Sequence, residues 1–420
     1  MDDKKRKGTP EGRNIIDLDA AREEKRRAER AEEKRMARSA RPSLRRRMLS
    51  LFLVLVLVLG AVLVTVYWDD INFDALRRTI SYIGTTQDES GGTDPFFYDR
   101  GSASAFAVLG NHLICATNKE TTIYDFAGNE LYQADVKLES PVLCVGGSLA
   151  AVYEVGGSHL TVFNEQGQKL NLMLENGLGI YAASLNEADY LAVTSQKKNQ
   201  KGCVTVYNAN MEKIFSFDSS TRFVVNAYVT EDCKYMVAET LGQESGTFVS
   251  EMVVYRLDRE EQYAAFSVEN AMVLDICSVG GQTVCIAEDR VVVATSGGQV
   301  SASYPYALPY LREYSLDGDG FAVLALNRHR AGTSGKLVTV NSSGEAIAEL
   351  DLNDEILDLT AAGRYIAVLY ADRLTVYNKD LTEYATYATF TQTETAQFAC
   401  MRSDGSVWLI TADTISLLIP

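Results

Sequence analysis

Three stretches far apart in this chain read as one phrase. "GGSLAAVYEVGGSHLTVFNEQGQKL" (Gly146 to Leu170), "EADYLAVTSQKKNQKGCVTVYNANMEKIF" (Glu187 to Phe215) and "AGRYIAVLYADRLTVYNKDLTEYA" (Ala362 to Ala385) each alternate, turn, alternate again and turn again. A period of two, broken by Gly, Asn, Asp and Ser, is the pattern of short strands joined by tight turns. It persists from Pro95 to Pro420, interrupted by five prolines and by no convincing amphipathic helix of three turns. Each unit reads as four strands, the second very apolar and the fourth polar on one face. Aligning the third strands gives Tyr124, Phe163, Tyr207, Tyr255, Ala294, Val340 and Tyr377, spaced 37 to 48 residues apart. Four strands at that spacing are a β-propeller blade. One blade cannot bury its apolar faces alone, so the repeat constrains the whole fold.

An eighth unit, "TAQFACMRSDGSVWLITADTISLLIP", supplies three strands and then the chain stops. A blade without its outer strand exposes an unpaired edge. "DPFFYDRG", Asp94 to Gly101, precedes the first unit and is the candidate replacement. Joining N- and C-terminal strands in one blade predicts a ring of eight blades, with seven as the alternative. A solenoid of hairpins fits less well, because no capping unit is apparent.

"TEDCKYMVAE" (Thr230 to Glu239) and "RSDGSVWLI" (Arg402 to Ile410) place an acidic turn before a short apolar strand. In this, residues 95–420 resemble the WD-repeat-like and quinoprotein-like propellers. The whole chain resembles an uncharacterised bacterial family with one N-terminal membrane anchor and an external propeller. The Trp-Asp dipeptide of WD repeats is absent from 95–420. So is the repeated Trp docking motif of quinone-dependent enzymes, since the only tryptophans are Trp68 and Trp408. No cofactor is therefore expected, and the fold does not supply a function.

The net charge of -16 conceals two opposed halves. Residues 1–47 carry 17 Lys and Arg against 10 Asp and Glu, and the rest carries 23 against 46. A body that acidic repels phosphate, which argues against nucleic acid. Between the halves lies "MLSLFLVLVLVLGAVLVTVYW", Met48 to Trp68, 21 residues without a charge. At about 1.5 Å per residue it spans about 30 Å, the hydrocarbon thickness of a bilayer. Arg45, Arg46 and Arg47 precede it and Asp69 and Asp70 follow it. Positive flanks stay cytoplasmic, so the expectation is a single-pass signal anchor with the C-terminal domain outside the cell membrane. A cleaved signal peptide is the competing reading; the 47-residue leader and the length of the run oppose it.

This gives four regions: a charged cytosolic tail 1–47, an anchor 48–68, a juxtamembrane segment 69–94 and a propeller 95–420. In the tail, Asp17 or Asp19 caps a charged helix that runs to about Ala40, its solvated face supported by pairs such as Glu23–Arg27. Ile15, Ile16 and Leu18 form an apolar knot ahead of it, a candidate docking point for a cytosolic partner. Beyond the anchor, "INFDALRRTISYI" (Ile71 to Ile83) sets its apolar residues on one helical face, as a helix lying on the outer membrane surface would.

The chemistry-bearing residues are sparse. His112, His159 and His329 each fall in a predicted turn or loop, without a metal-binding spacing. "LDGDGF" around Asp317 and Asp319 lacks the other carboxylates of a calcium loop and falls where other units carry ordinary turns. The seven cysteines form no C-x-x-C pair; Cys277 and Cys285, flanking a Gly-Gly turn, are the one pair worth testing for a bridge. No catalytic, metal or cofactor residue is assigned.

Loops joining second to third strands share one face of a propeller. Three are enlarged, Gln196–Gly202, Thr240–Glu251 and Asn327–Lys336. Two of these are basic, carrying Lys197, Lys198 and Lys201, and Arg328, Arg330 and Lys336. Enlarged loops on one face of a repeat protein mark a candidate binding face, here for an anionic envelope polymer or an acidic protein. The reading is a non-catalytic scaffold or ligand-binding module of the cell envelope. Its alternatives are a hydrolase or lyase acting on envelope sugars in the central channel, and a sensor relaying external binding to the tail.

Overall fold

A computed structural model describes residues 18–39, 48, 51–56, 58–59, 74, 78, 81–82 and 91–420, apart from 176, 245 and 388–395. The chain divides after residue 73 into two compact units. In the first, a helix runs from Leu18 to Ser39, matching the charged tail helix expected from sequence. The side chains of residues 22–34 are all exposed, as a helix charged on every face requires. Met48, Leu51–Val56, Val58 and Leu59 are also helical, and each is more than half exposed. Among the described residues, no helix is long and apolar enough to cross a membrane. Most of the 48–68 run lies outside the described residues, as do Arg45, Arg46, Arg47, Ile15, Ile16 and the side chain of Leu18.

The second unit is an all-β propeller of eight four-stranded antiparallel sheets. Blades 1 to 7 are residues 104–134, 141–173, 180–219, 223–268, 273–305, 310–352 and 356–387, each a meander of four consecutive strands. Blade 8 takes three strands from 398–418 and its fourth from Phe96–Phe97, which pair with Ile415 and Thr414. Further back, Gly91 and Thr93 continue this outer edge against Ile419 and Leu417. Pro95 sits in the gap between the two paired pieces, where no ladder donor is needed. Eight blades, closed by the N-terminal strand, is the arrangement that the unpaired edge of the last repeat required.

The first strands of successive blades lie against one another, and Phe398–Met401 of blade 8 lies against Ser104–Leu109 of blade 1. The first strands are therefore innermost. The core is not central; it is divided into eight clusters, one between each pair of neighbouring blades. The seven residues that align the third strands have a common structural meaning. Each stands at a register shift where the third strand pairs with the fourth. Such a bulge adds twist to the outer part of each blade.

The turns between first and second strands form a belt on one face. Asp189 accepts from the Ser148 backbone at 2.7 Å, Asn186 Nδ2 donates to the Thr230 carbonyl at 3.1 Å, and Glu231 accepts from Ser278 and Gly281. Asp319 N donates to the Gly363 carbonyl at 2.7 Å, and Arg402 reaches Asn111 at 3.1 Å. Gly363 needs its φ of 57° and its missing side chain, because a Cβ would stand 3.0 Å from the Ser403 carbonyl oxygen. The turns thus stitch blade to blade; in "LDGDGF" Asp319 does so through its backbone N–H, while Asp317 accepts from Ser315 within its own blade.

Two sequence expectations change. Asp74, Arg78 and Ser81 are helical, and Asp74, Arg78 and Tyr82 are held against the propeller; the remaining residues of Ile71–Ile83, including the apolar ones assigned to a membrane surface, lie outside the described residues. Arg78 and Tyr82 are buried; Arg78 donates to the Asp404 carbonyl and the Tyr384 hydroxyl. Tyr365 donates to Asp74 at 3.1 Å, and the ring of Tyr82 meets Phe126 edge-on. The helical period finds apolar faces but does not announce that polar residues between them have buried partners. Second, Thr240–Glu251 is not a loop. The strands Tyr235–Glu244 and Thr247–Arg256 continue pairing through it to Glu244 and Thr247. All seven cysteines are free. Cys277 pairs with Val284 and Cys285 with Ile276, so the two thiols project from opposite faces of one hairpin.

Candidate functional site: the loop-side mouth of the central channel

The face opposite the belt carries the second-to-third-strand loops and the starts of the innermost strands. Five consecutive blades, 3 to 7, share an irregularity there. The first strand gains one residue relative to its partner at Tyr181, Val225, Leu274, Arg312 and Leu357. Bulges of this kind re-aim side chains and concentrate beside functional sites. Here the extra residue is turned to solvent: Val225, Leu274 and Leu357 are 39–47% exposed. Blade 8 has no bulge; its first strand begins at Phe398, which is exposed too. An apolar collar, broken by Arg312, therefore rims the mouth.

The next residue in each blade makes a second ring: Ala182, Asn226, Asp275, Glu313 and Asp358. Asn226, Asp275 and Asp358 each accept from the following backbone N–H, at 2.8–3.0 Å, which caps the kink the bulge creates. They also bond across blades. Asn226 Nδ2 donates to Asp275 at 3.0 Å, Tyr314 donates to Asp275 at 3.3 Å, and the Ala399 N–H donates to Asp358 at 2.7 Å. Glu313 is half-buried and has no hydrogen-bond or ion-pair partner among the described residues.

Behind this ring Glu239 pairs in register with Asn226 and is 1% exposed. Its Oε1 accepts from Ser250 at 3.4 Å and its Oε2 has no partner. Burial, reinforced by the nearby Asp275, pushes the Glu239 carboxyl up to about 7. Burial and Asp358 push Glu313 up to about 7 as well. Asp275 and Asp358 are raised chiefly by burial. Carboxyls that resist ionisation in this way store an electrostatic demand that an added positive charge would satisfy.

Reading the sequence for clustered carboxylates at strand starts finds none, yet the structure assembles three. The signal lies in the first strands, as "VVN" at 224–226, "VLD" at 273–275, "LRE" at 311–313 and "ILD" at 356–358. In three of the four, two apolar residues and then a polar one break the period of two; in "LRE" two charged residues in succession do so, and the break is the bulge.

The six basic residues chosen from the sequence lie on the rim of this same face. They fall into two groups, on blades 3 and 6, which stand three positions apart in a ring of eight. Lys197 is paired with Asp218 and Lys336 with Glu349, each at 2.6 Å. The Lys201 ammonium sits 4.7 Å from the centre of the Phe223 ring. Lys198, Arg328 and Arg330 are exposed. The fold does not gather the six into one patch.

In fold, the chain is similar to BamB from Moraxella catarrhalis, at 11% identity and a TM-score of 0.50 over 80% of this chain and 100% of that one. It is similar to the C-terminal WD40 domain of Sif2, at 11% identity and 0.57 over 78% and 98%. It is also similar to the computationally designed Ika8 protein, at 12% identity and 0.56 over 77% and 98%. At such identities the likeness shows the fold alone. No curated protein matches the sequence. Residues 97–418 match a family described as a family of unknown function, DUF5711.

Proposed function

The chain belongs to the DUF5711 family, and from that premise we propose that it is a membrane-tethered, extracytoplasmic binding module whose propeller holds a protein partner on its loop-side face. The observation that carries this is the ring of bulges. Five blades in succession aim an inserted side chain out of the innermost strand at one register, and most of those side chains are apolar. Exposed apolar side chains gathered around a concave mouth are the usual mark of an interaction site. The belt face serves the fold: its turns are bonded to one another and it takes up Arg78 and Tyr82. The membrane part of the reading rests on the uncharged run at 48–68, its basic and acidic flanks, and the exposed apolar helical residues from Met48 to Leu59.

A protein fits the face better than a uniformly anionic polymer. The rim offers Lys198, Arg328 and Arg330, but the centre offers carboxylates. A partner of mixed charge satisfies both. Reversing Lys197, Lys198, Arg328 and Arg330 together tests the rim, with binding to the cell's own envelope fractions as the measurement; unchanged binding counts against it. Alkaline extraction of membranes from cells producing the full chain tests the anchor. The chain is expected to stay in the pellet, with the propeller open to added protease and the N-terminus protected.

A second reading is favoured by one observation. A carboxyl held near 7 beside a second carboxyl, as in Glu313 and Asp358, is the equipment of general acid–base chemistry on a sugar. Release of reducing ends from envelope glycan, abolished by Glu313→Gln, would favour this enzyme over the binding module.

A further inference from the structure

The channel mouth has a layered chemistry that narrows what the partner presents. The outer layer is exposed and, apart from Arg312, apolar. The inner layer, the next residue along in blades 3 to 7, is acidic in blades 5, 6 and 7. Within that layer Asp275 and Asp358 are immobilised, each with both oxygens accepting hydrogen bonds. Glu313 stands between them in blade order with neither oxygen engaged. The orphaned Oε2 of Glu239, in a side chain 99% removed from solvent, adds an uncompensated acceptor next to Asn226. We propose that the loop-side mouth binds a segment of a partner protein carrying a lysine or arginine between apolar side chains, with Val225, Leu274 and Leu357 receiving the apolar groups and Glu313, flanked by Asp275 and Asp358, receiving the cation. This rests on the binding-module reading and adds to it the chemistry of the bound segment.

Each layer excludes a rival occupant. A polyanion meets the carboxylates and is repelled. A bare polyamine satisfies the carboxylates but leaves the collar in water. A divalent metal wants three or more ligating side chains together, and no such group occurs among the described residues. An aliphatic side chain beside a cation satisfies both layers at once. Desolvated charge pairs at the centre of an interface, ringed by apolar contacts, are where binding energy concentrates.

The test uses the full chain in lipid nanodiscs and a library of phage-displayed random heptapeptides. Selected peptides are expected to place Lys or Arg next to Leu, Ile, Met or Phe. A fluorescent synthetic peptide of the selected sequence should lose affinity by about tenfold or more in Glu313→Gln, the size of a lost charge-assisted bond. It should lose affinity similarly in a Leu274→Ser, Leu357→Ser double variant, and keep it when Lys197 and Lys198 are reversed. Glu313→Gln removes no bond from the fold, so its melting temperature should not fall below the parent's, which excludes misfolding as the cause. Selected peptides without basic residues, or an affinity indifferent to Glu313→Gln, would overturn the inference. If the selected peptides are acidic and depend on Lys198 and Arg328, the binding module stands while this assignment of its ligand falls. If no peptide is selected at all, both fall.

Discussion

The Tyr82 hydroxyl donates to the Asp404 carboxylate at 3.1 Å and meets Ser406 Oγ at 2.9 Å, joining the segment that leads into the propeller to its last blade. The same segment reaches blade 7 through Arg78 to Tyr384 and blade 1 through Tyr82 to Phe126. It therefore spans the seam where the ring closes. Burial would raise Asp404, but Arg402, Ser406 and Tyr82 outweigh it and hold the carboxyl below the usual range. A depressed carboxyl stabilises the fold above its unfolded value and loses that contribution as pH falls through its folded one.

The first prediction follows from that seam. Tyr82→Phe should weaken the fold by about 1–2 kcal/mol, since it leaves a buried carboxylate short of a donor. Arg78→Ala should cost more, because it strips the Asp404 carbonyl and Tyr384 together. Hydrogen exchange locates the effect: protection should fall in the 402–406 turn and hold in blades 3 to 5. Uniform loss around the ring would show that the segment is not a clasp.

A second prediction concerns Glu239, whose carboxyl is raised rather than depressed. The folded state binds its proton more tightly than the unfolded chain does. Stability from this group is thus complete below its unfolded value near 4.5, is lost as pH rises, and is gone above about 7. Glu239→Gln removes the penalty. Relative to the parent it should gain stability on the order of 2–3 kcal/mol at pH 8 and nothing at pH 4. Denaturant melts at the two pH values measure the difference, and an equal effect at both would refute the buried-acid account.

Closure of the ring gives a third. The Phe96 ring lies 5.3 Å from that of Tyr124 in blade 1 and 6.4 Å from that of Trp408 in blade 8. Trp408 is fully buried. Trp408→Ala should cost about 3–5 kcal/mol, the usual range for an aromatic removed from a core. Thr93→Pro is a sharper probe. The Thr93 N–H donates to the Leu417 carbonyl at 2.9 Å and its hydroxyl accepts from the Leu417 N–H at 3.0 Å, and proline removes both bonds. If the outer strand of blade 8 is what keeps the edge from self-association, this variant should oligomerise at concentrations where the parent does not.

Much of this architecture was legible because propellers repeat. The third-strand register recurs seven times, and the unpaired edge in "TISLLIP" called for a partner, for which "DPFFYDRG" was the candidate. The candidate site was less legible. Asp275, Glu313 and Asp358 lie 38 and 45 residues apart in sequence, and no local motif marks a carboxylate whose neighbour is on the next blade. The bulge that brings them to one ring shows only as a one-residue break in alternation. The docking of Arg78 was hidden for a related reason: its acceptors, the Asp404 carbonyl and Tyr384, are more than 300 residues away. The basic residues stand at the second-to-third-strand end of their blades, Lys336 in the strand Gly335–Asn341 rather than in a loop, and a sequence cannot say that Lys197 and Lys336 already face Asp218 and Glu349.

A last prediction uses the thiols. Burial pushes Cys115 and Cys144 up to about 12 and raises Cys277, Cys285 and Cys400 as well. Thiols so poorly ionised are slow nucleophiles, so a thiolate-selective reagent at pH 8 should leave these five unmodified in the native chain. Cys233 is different: it stands in the turn after Thr230, with φ at 55°, partly open to solvent. It should react first. In denaturant all seven should titrate, and the intact mass without reductant should equal that with reductant. A deficit of two hydrogens that disappears in Cys277→Ser would mean that the Gly280–Gly281 hairpin carries a bridge. It would also mean that the opposed register of Cys277 and Cys285 is not the one the oxidised chain adopts.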